Sequence, residues 1–123
     1  MKKINVLKTK FGVYVSVGDL CQYLNFVGCL TEKQSFVLFH KIVAYKSKQL
    51  ASSTRTGYYS NLDLFIMVSM TDIYMSWACF HIVWQYVKKH DNKQFREIMM
   101  LIDSPNELCS NHPYFNVINT IVF

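Results

Sequence analysis

The stretch Ile4-Asn5-Val6-Leu7-Lys8-Thr9-Lys10-Phe11-Gly12-Val13-Tyr14-Val15-Ser16-Val17-Gly18-Asp19-Leu20 changes its hydrophobic period partway along. Ile4 and Val6 share one face of a strand, and Val13, Val15 and Val17 alternate with Tyr14 and Ser16. A period of two is that of a half-buried strand, so residues 4–17 read as a β-hairpin with its turn at Lys8 to Gly12. From Gly18-Asp19 onward the spacing turns helical, with Leu20, Tyr23 and Leu24 on one stripe. A hairpin feeding directly into a helix predicts an α+β fold, in which an N-terminal β-hairpin packs on a mostly helical core.

Downstream of this stretch, Thr31-Glu32-Lys33-Gln34 has the capping-box pattern. The helix it opens carries Phe36, Phe39, Ile42 and Val43 on one stripe and is expected to fade near Gln49. Ala51-Ser52-Ser53-Thr54-Arg55-Thr56-Gly57 is small and polar and reads as a loop. Residues 64–87 are almost uncharged, with only Asp72 and His81 breaking the run. That length would span a bilayer. A central aspartate, however, costs about 2.5–3.5 kcal/mol on insertion scales, and Asp72 is a good N-cap. The run is therefore expected to divide into helices over 61–70 and 73–89. The second would bury Ile73, Trp77, Phe80, Trp84 and Val87. Phe95, Ile98, Met99 and Ile102 predict a short helix over 93–103, stopped at Ser104-Pro105. Tyr114 to Phe123 is rich in Val, Ile and Phe and reads as a C-terminal strand, with a helix as the alternative. So apolar a segment must pair with the N-terminal hairpin or with a second copy in a homodimer. The 123 residues fit one domain over 1–123.

The charge is split along the chain. Residues 1–60 hold nine Lys/Arg against Asp19 and Glu32, and residues 61–123 hold four against six acids, so the net +5 is +7 and then −2. No acid lies between Glu32 and Asp63, whereas Lys33, Lys41, Lys46, Lys48 and Arg55 all do. A one-sided cationic surface attracts polyanions, duplex DNA among them. On this reading Lys33, Lys41, Lys46 and Lys48 neutralise phosphates, and Ser52, Ser53 and Thr54 donate hydrogen bonds to phosphate oxygens. Arg55 reaches a guanine edge or a narrow minor groove, with Tyr58 and Tyr59 beside the loop. An ordinary solvated basic face is the alternative.

Other chemistry has thinner support. There is no phosphate-binding glycine loop, Gly-x-Ser-x-Gly elbow or His-Glu-x-x-His helix, and the acids are scattered. A Cys–His nucleophile would depend on spatial geometry, for which there is no local signature. His81 reads as a partly buried structural histidine. The expectation is no enzyme, no cofactor and no metal. Cys109-Ser110-Asn111-His112 has the spacing of half a zinc site, and Cys21, Cys29 and His40 would complete it only if the fold gathered them. Cys21, Cys29, Cys79 and Cys109 read instead as free, small buried hydrophobes. No apolar run follows Met1-Lys2-Lys3, so an intracellular, non-secreted protein is expected.

Tyr14-Val15-Ser16-Val17-Gly18-Asp19-Leu20-Cys21 resembles the KilA-N opening Y-V-N-A-T-D-L-C, with Ser16 and Gly18 where that family has asparagine and threonine. Asp19-Leu20-Cys21, Leu24 and Phe26 resemble the Bro-N signature D-V-A-x-x-L-G-Y, with Asn25 in place of its glycine. Leu64-Phe65, Met67-Val68 and Thr71 follow the Bro-N pattern L-Y-x-L-I-x-x-S, and Phe80 and Trp84 lie near its F-x-x-W at a slipped spacing. The resemblance covers about residues 12–88. It implies a small α+β DNA-binding domain of the kind found in viral and phage regulators of transcription or replication. Such proteins often carry a second domain, and this chain would then be the binding module alone. An adaptor of the BTB or elongin-C-like type is the runner-up, and a small membrane-associated viral protein is third. An adaptor has no need for an acid-free basic window of this length.

Overall fold

The computed structural model describes residues 3–9, 12–56, 65–69, 72–76, 79–87, 93–103 and 112–121. Strands β1 (Ile4–Thr9) and β2 (Gly12–Ser16) form the expected hairpin, which closes at Thr9↔Gly12. Helices α1 (Val17–Phe26) and α2 (Glu32–Thr56) follow, then β3 (Phe65–Ser69) and β4 (Asp72–Ser76). Helices α3 (Phe80–Val87) and α4 (Lys93–Asp103) lead to β5 (Phe115–Ile121). The strands make one sheet in the order β3-β4-β2-β1-β5, with β1 and β5 parallel and the other pairs antiparallel. The α+β class, the N-terminal hairpin and the C-terminal strand are therefore as the sequence predicts.

Strand alternation sets the core. Ile4, Val6, Val13, Val15, Ile73, Met75 and Phe115 are buried in one cluster with Leu20, Leu24, Leu38 and Ile42 of the first two helices. Phe80, Val83 and Val87 of α3 and Phe95, Ile98, Met99 and Ile102 of α4 complete it. The register aligns Val6 with Val15 and Val15 with Met75, so the valines stack in a row across the sheet. Leu7, Tyr14 and Tyr74, one residue out of phase, form a second small cluster on the opposite face.

Ser16 switches the chain from strand to helix. It has an extended φ of −60° and ψ of 119°, and its hydroxyl accepts from the Asp19 N–H at 3.2 Å, as an N-cap does. Asp19 also reaches the first strand. Its Oδ2 accepts from the Asn5 N–H at 3.1 Å and so ties α1 to β1 where β2 has left the ladder. At the other end of α1, the Gly28 N–H donates to Asn25 C=O at 3.0 Å and the Cys29 N–H to Leu24 C=O at 2.9 Å. Gly28 sits at φ 77°, the left-handed residue of a Schellman cap. Gly28→Ala is expected to cost about 1–2 kcal/mol, because a Cβ is strained there. Gly18→Ala is expected to gain a few tenths to about 1 kcal/mol, since a Cβ at this helical position meets nothing within 4 Å. Urea unfolding of the two variants should move the midpoint in opposite directions.

The structure departs from expectation in the middle of the chain and on the face of α2. Residues 65–69 and 72–76 form a β-hairpin rather than parts of helices over 61–70 and 73–89, and Asp72 opens a strand paired with Ser69 rather than capping a helix. Short apolar runs such as Phe65 to Val68 and Ile73 to Met75 suit a buried strand and a buried helix equally well, and here sheet pairing decides. The helix that follows is α3 alone, whose buried stripe is Phe80, Val83 and Val87. Trp84 is 43% exposed and stacks on Phe95 at 5.8 Å; Trp77 lies outside the described residues. In α2 the buried stripe is Ser35, Leu38 and Ile42, while Phe36 faces outward. No helix among the described residues is long and apolar enough to cross a membrane.

Candidate nucleic-acid interface

The site is built on the pair of helices that follows the first hairpin. α1, the turn Val27 to Thr31 and α2 run in helix–turn–helix order. The capping box opening α2 is formed in both directions: the Gln34 N–H donates to Thr31 Oγ1 at 3.1 Å, and the Thr31 N–H to Gln34 Oε1 at 2.9 Å. Ser35 fastens α2 to α1, its buried hydroxyl donating to Cys21 C=O at 2.6 Å. Asn25 Nδ2 donates to Leu30 C=O at 3.2 Å and braces the turn. With one side of α2 held by Ser35, Leu38 and Ile42, the other is turned outward.

The outward side carries Lys33, Phe36, His40, Lys41 and Ala44, all exposed, with Val37 half-buried among them. These positions follow i, i+3, i+4, i+7, i+8, i+11, the spacing of one helical face. Phe36 is 64% exposed, and its ring lies 4.2 Å from that of His40 in an edge-on arrangement. A shallow hollow of about 320 Å³ is lined by Phe36, Val37, His40, Lys41 and Ala44. Lys41 Nζ rests 5.4 Å from the centroid of the Tyr86 ring on α3, a cation–π contact. Glu32 is the sole acid of α2 and stands in its first turn, where the helix dipole favours negative charge.

All eight residues read from the sequence as nucleic-acid-binding fall on this one helix. Lys33 and Lys41 are exposed; the side chains of Lys46, Lys48, Ser52, Ser53, Thr54 and Arg55 lie outside the described residues. Their backbone corrects one expectation. Residues 51–56 continue the helix rather than forming a loop, because nothing between Gln49 and Thr56 is a glycine or proline, and Ala, Ser and Thr are all tolerated within a helix. Tyr58 and Tyr59 lie outside the described residues. At 3.6 residues per turn, positions 33, 41, 48 and 55 recur on one side of a rod about 37 Å long, and position 46 steps away from them. Phe36 and His40 were missed as outward residues. The periodicity of their neighbours is the signal: a stripe through Phe36 and Phe39 is one position off the buried one through Ser35 and Leu38.

The other candidate chemistry is dispersed. Cys21, Cys29 and Cys79 are buried thiols outside any disulfide, as read from the sequence. Burial pushes the Cys21 thiol up to about 12 and that of Cys79 up to about 11, which keeps both protonated and unreactive at neutral pH. His40 is exposed on α2, away from the buried Cys21 and Cys29, and Cys109 lies outside the described residues. No group of three or more metal-ligating side chains converges among the described residues. His81 is exposed rather than partly buried, with its ring edge-on to Tyr45 at 5.6 Å.

No protein-family model matches the chain, and comparison with curated proteins and with solved structures gives no match.

Proposed function

We propose that the protein binds duplex DNA, with α2 laid along the major groove and its basic row set against the phosphates. The observation that carries this reading is the outward side of α2. In a helix–turn–helix, the second helix enters the major groove and presents its outer face to the bases. Here that helix is fastened through Ser35, has no acid beyond Glu32 over its 25 residues, and holds Lys33 and Lys41 exposed. Phosphate contacts dominate affinity, and a run of cations without intervening carboxylates is what they require. Lys48 and Arg55 continue the row by helical phase, and Ser52, Ser53 and Thr54 offer hydroxyl donors along the same helix.

The KilA-N-like stretch from Tyr14 to Cys21 supports the reading, since it is the strand-to-helix switch on which α1 and α2 depend. A viral or phage-type regulator of transcription or replication, intracellular and free of catalytic chemistry, fits such a module. A homodimer through the C-terminal segment would suit a target of two half-sites, with β5 at the edge of the sheet as the surface available for pairing. Binding of the full chain to a random-sequence duplex should weaken steeply with salt. With six phosphates neutralised, the log–log slope is on the order of −5. Salt-independent binding, or none at low salt, would remove the proposal.

A further inference from the structure

Resting on the duplex-DNA reading, we infer that the outward face of α2 reads thymine, with Phe36 as the residue that covers the 5-methyl group. The face has a definite layout. Lys33 and Lys41 supply charge, while Phe36, Val37 and Ala44 supply an apolar surface around the shallow hollow. The side chains that read guanine or adenine bidentately are arginine, lysine, asparagine and glutamine. Lys33 and Lys41 are set against phosphates on the reading this rests on, no arginine or asparagine stands between Lys33 and Ala44, and Gln34 is engaged in the capping box. An exposed phenylalanine on a polar helix face has one apolar partner in the major groove, the methyl of thymine. The His40 ring holds Phe36 at 4.2 Å and limits its freedom, so ordering it on binding costs little. From Lys33 to Ala44 the helix rises about 16 Å, the length of about five base pairs at about 3.4 Å each.

Charge complementarity selects DNA over an apolar protein partner for this face. The two exposed lysines bracket Phe36 and Val37, and the sole acid of the helix is Glu32 at its start. A second copy of the chain would set lysine against lysine.

The test uses the full chain and two duplexes of about 20 base pairs, one of alternating adenine and thymine and one with every thymine replaced by uracil. The pairing is identical and only the 5-methyl is missing. Fluorescence anisotropy at two salt concentrations should show the thymine duplex bound about fourfold tighter for each methyl covered. Phe36→Ala should close that gap while leaving the salt slope unchanged; because Phe36 is exposed, circular dichroism and the unfolding midpoint should not move. Equal wild-type affinity for the two duplexes would overturn the thymine assignment and leave the DNA reading standing, as would a gap that survives Phe36→Ala. Absence of salt-dependent binding to either duplex would overturn both. Self-association that Phe36→Ala abolishes, with DNA binding untouched, would make the face an interface between copies and overturn the assignment.

Discussion

Alanine at Lys33, Lys41, Lys48 and Arg55 together is expected to flatten the salt dependence of duplex binding by about 3–4 in log–log slope. Each lysine or arginine that neutralises a phosphate releases a condensed counterion and contributes about 0.9 to the slope. Losing four contacts takes roughly a hundredfold off the fall in affinity between about 50 and 200 mM salt. The four positions are chosen by helical phase, since 33, 41, 48 and 55 recur every seven or eight residues along α2. Lys46→Ala is the control, because position 46 lies off that row and should change the slope by much less. Lys33 and Lys41 are exposed, so their truncation removes no core packing. Anisotropy titrations at four or five salt concentrations measure the slope directly. If the quadruple variant kept the wild-type slope, the phosphates would be met by some other part of the molecule.

The legible parts of the fold were those with a strong local signal. Val13, Val15 and Val17 alternate cleanly, and the Thr31 and Gln34 capping box is read straight from four residues. Phe95, Ile98, Met99 and Ile102 mark α4 by spacing alone, and all four are buried. The β3–β4 hairpin was not legible. Its strands are five residues each, too short for period two to be told from period 3.6, and a helical reading drew its stripe through Ile73, Trp77 and Trp84. What distinguishes them is the ladder that sets Tyr14, Val15 and Ser16 against Ser76, Met75 and Tyr74, a long-range fact absent from any local window. The basic window was legible as charge, but its form was not. Ser52 to Thr56 has loop-like composition, but Ser and Thr are also tolerated within a helix and no glycine or proline interrupts the run, so composition alone does not separate the two. Phe36 escaped notice because a phenylalanine is assigned to the core by default, while the core side of α2 is set by the smaller Ser35.

Phe115→Ala is expected to cost about 3–5 kcal/mol, the range for emptying a fully buried aromatic site. Phe115 has no exposed surface and lies in the main cluster with Ile4 and Val6. It is paired with Ile4 in the parallel β1–β5 ladder, and the Ile4 N–H donates to Tyr114 C=O at 2.9 Å just before that pair. Next to it the strand is tied down twice more, by Asn116 Nδ2 to Asn5 Oδ1 at 3.1 Å and by the Tyr114 hydroxyl to Glu97 Oε2 at 3.4 Å. A domain of this size holds about 5–15 kcal/mol in all, so the substitution removes a large share of it. Asn116→Ala on the exposed side of the same strand loses one solvated hydrogen bond and should cost about 1 kcal/mol or less. Urea unfolding followed by tryptophan fluorescence separates the two. The same experiment at two protein concentrations asks where β5 belongs. A monomer with β5 paired only to β1 of its own chain has a midpoint independent of concentration, whereas a homodimer, joined edge to edge through β5 or by strand exchange, would make it rise with concentration. A Phe115→Ala midpoint equal to wild type would mean that the C-terminal strand adds nothing to the core, against its burial and its pairing with β1.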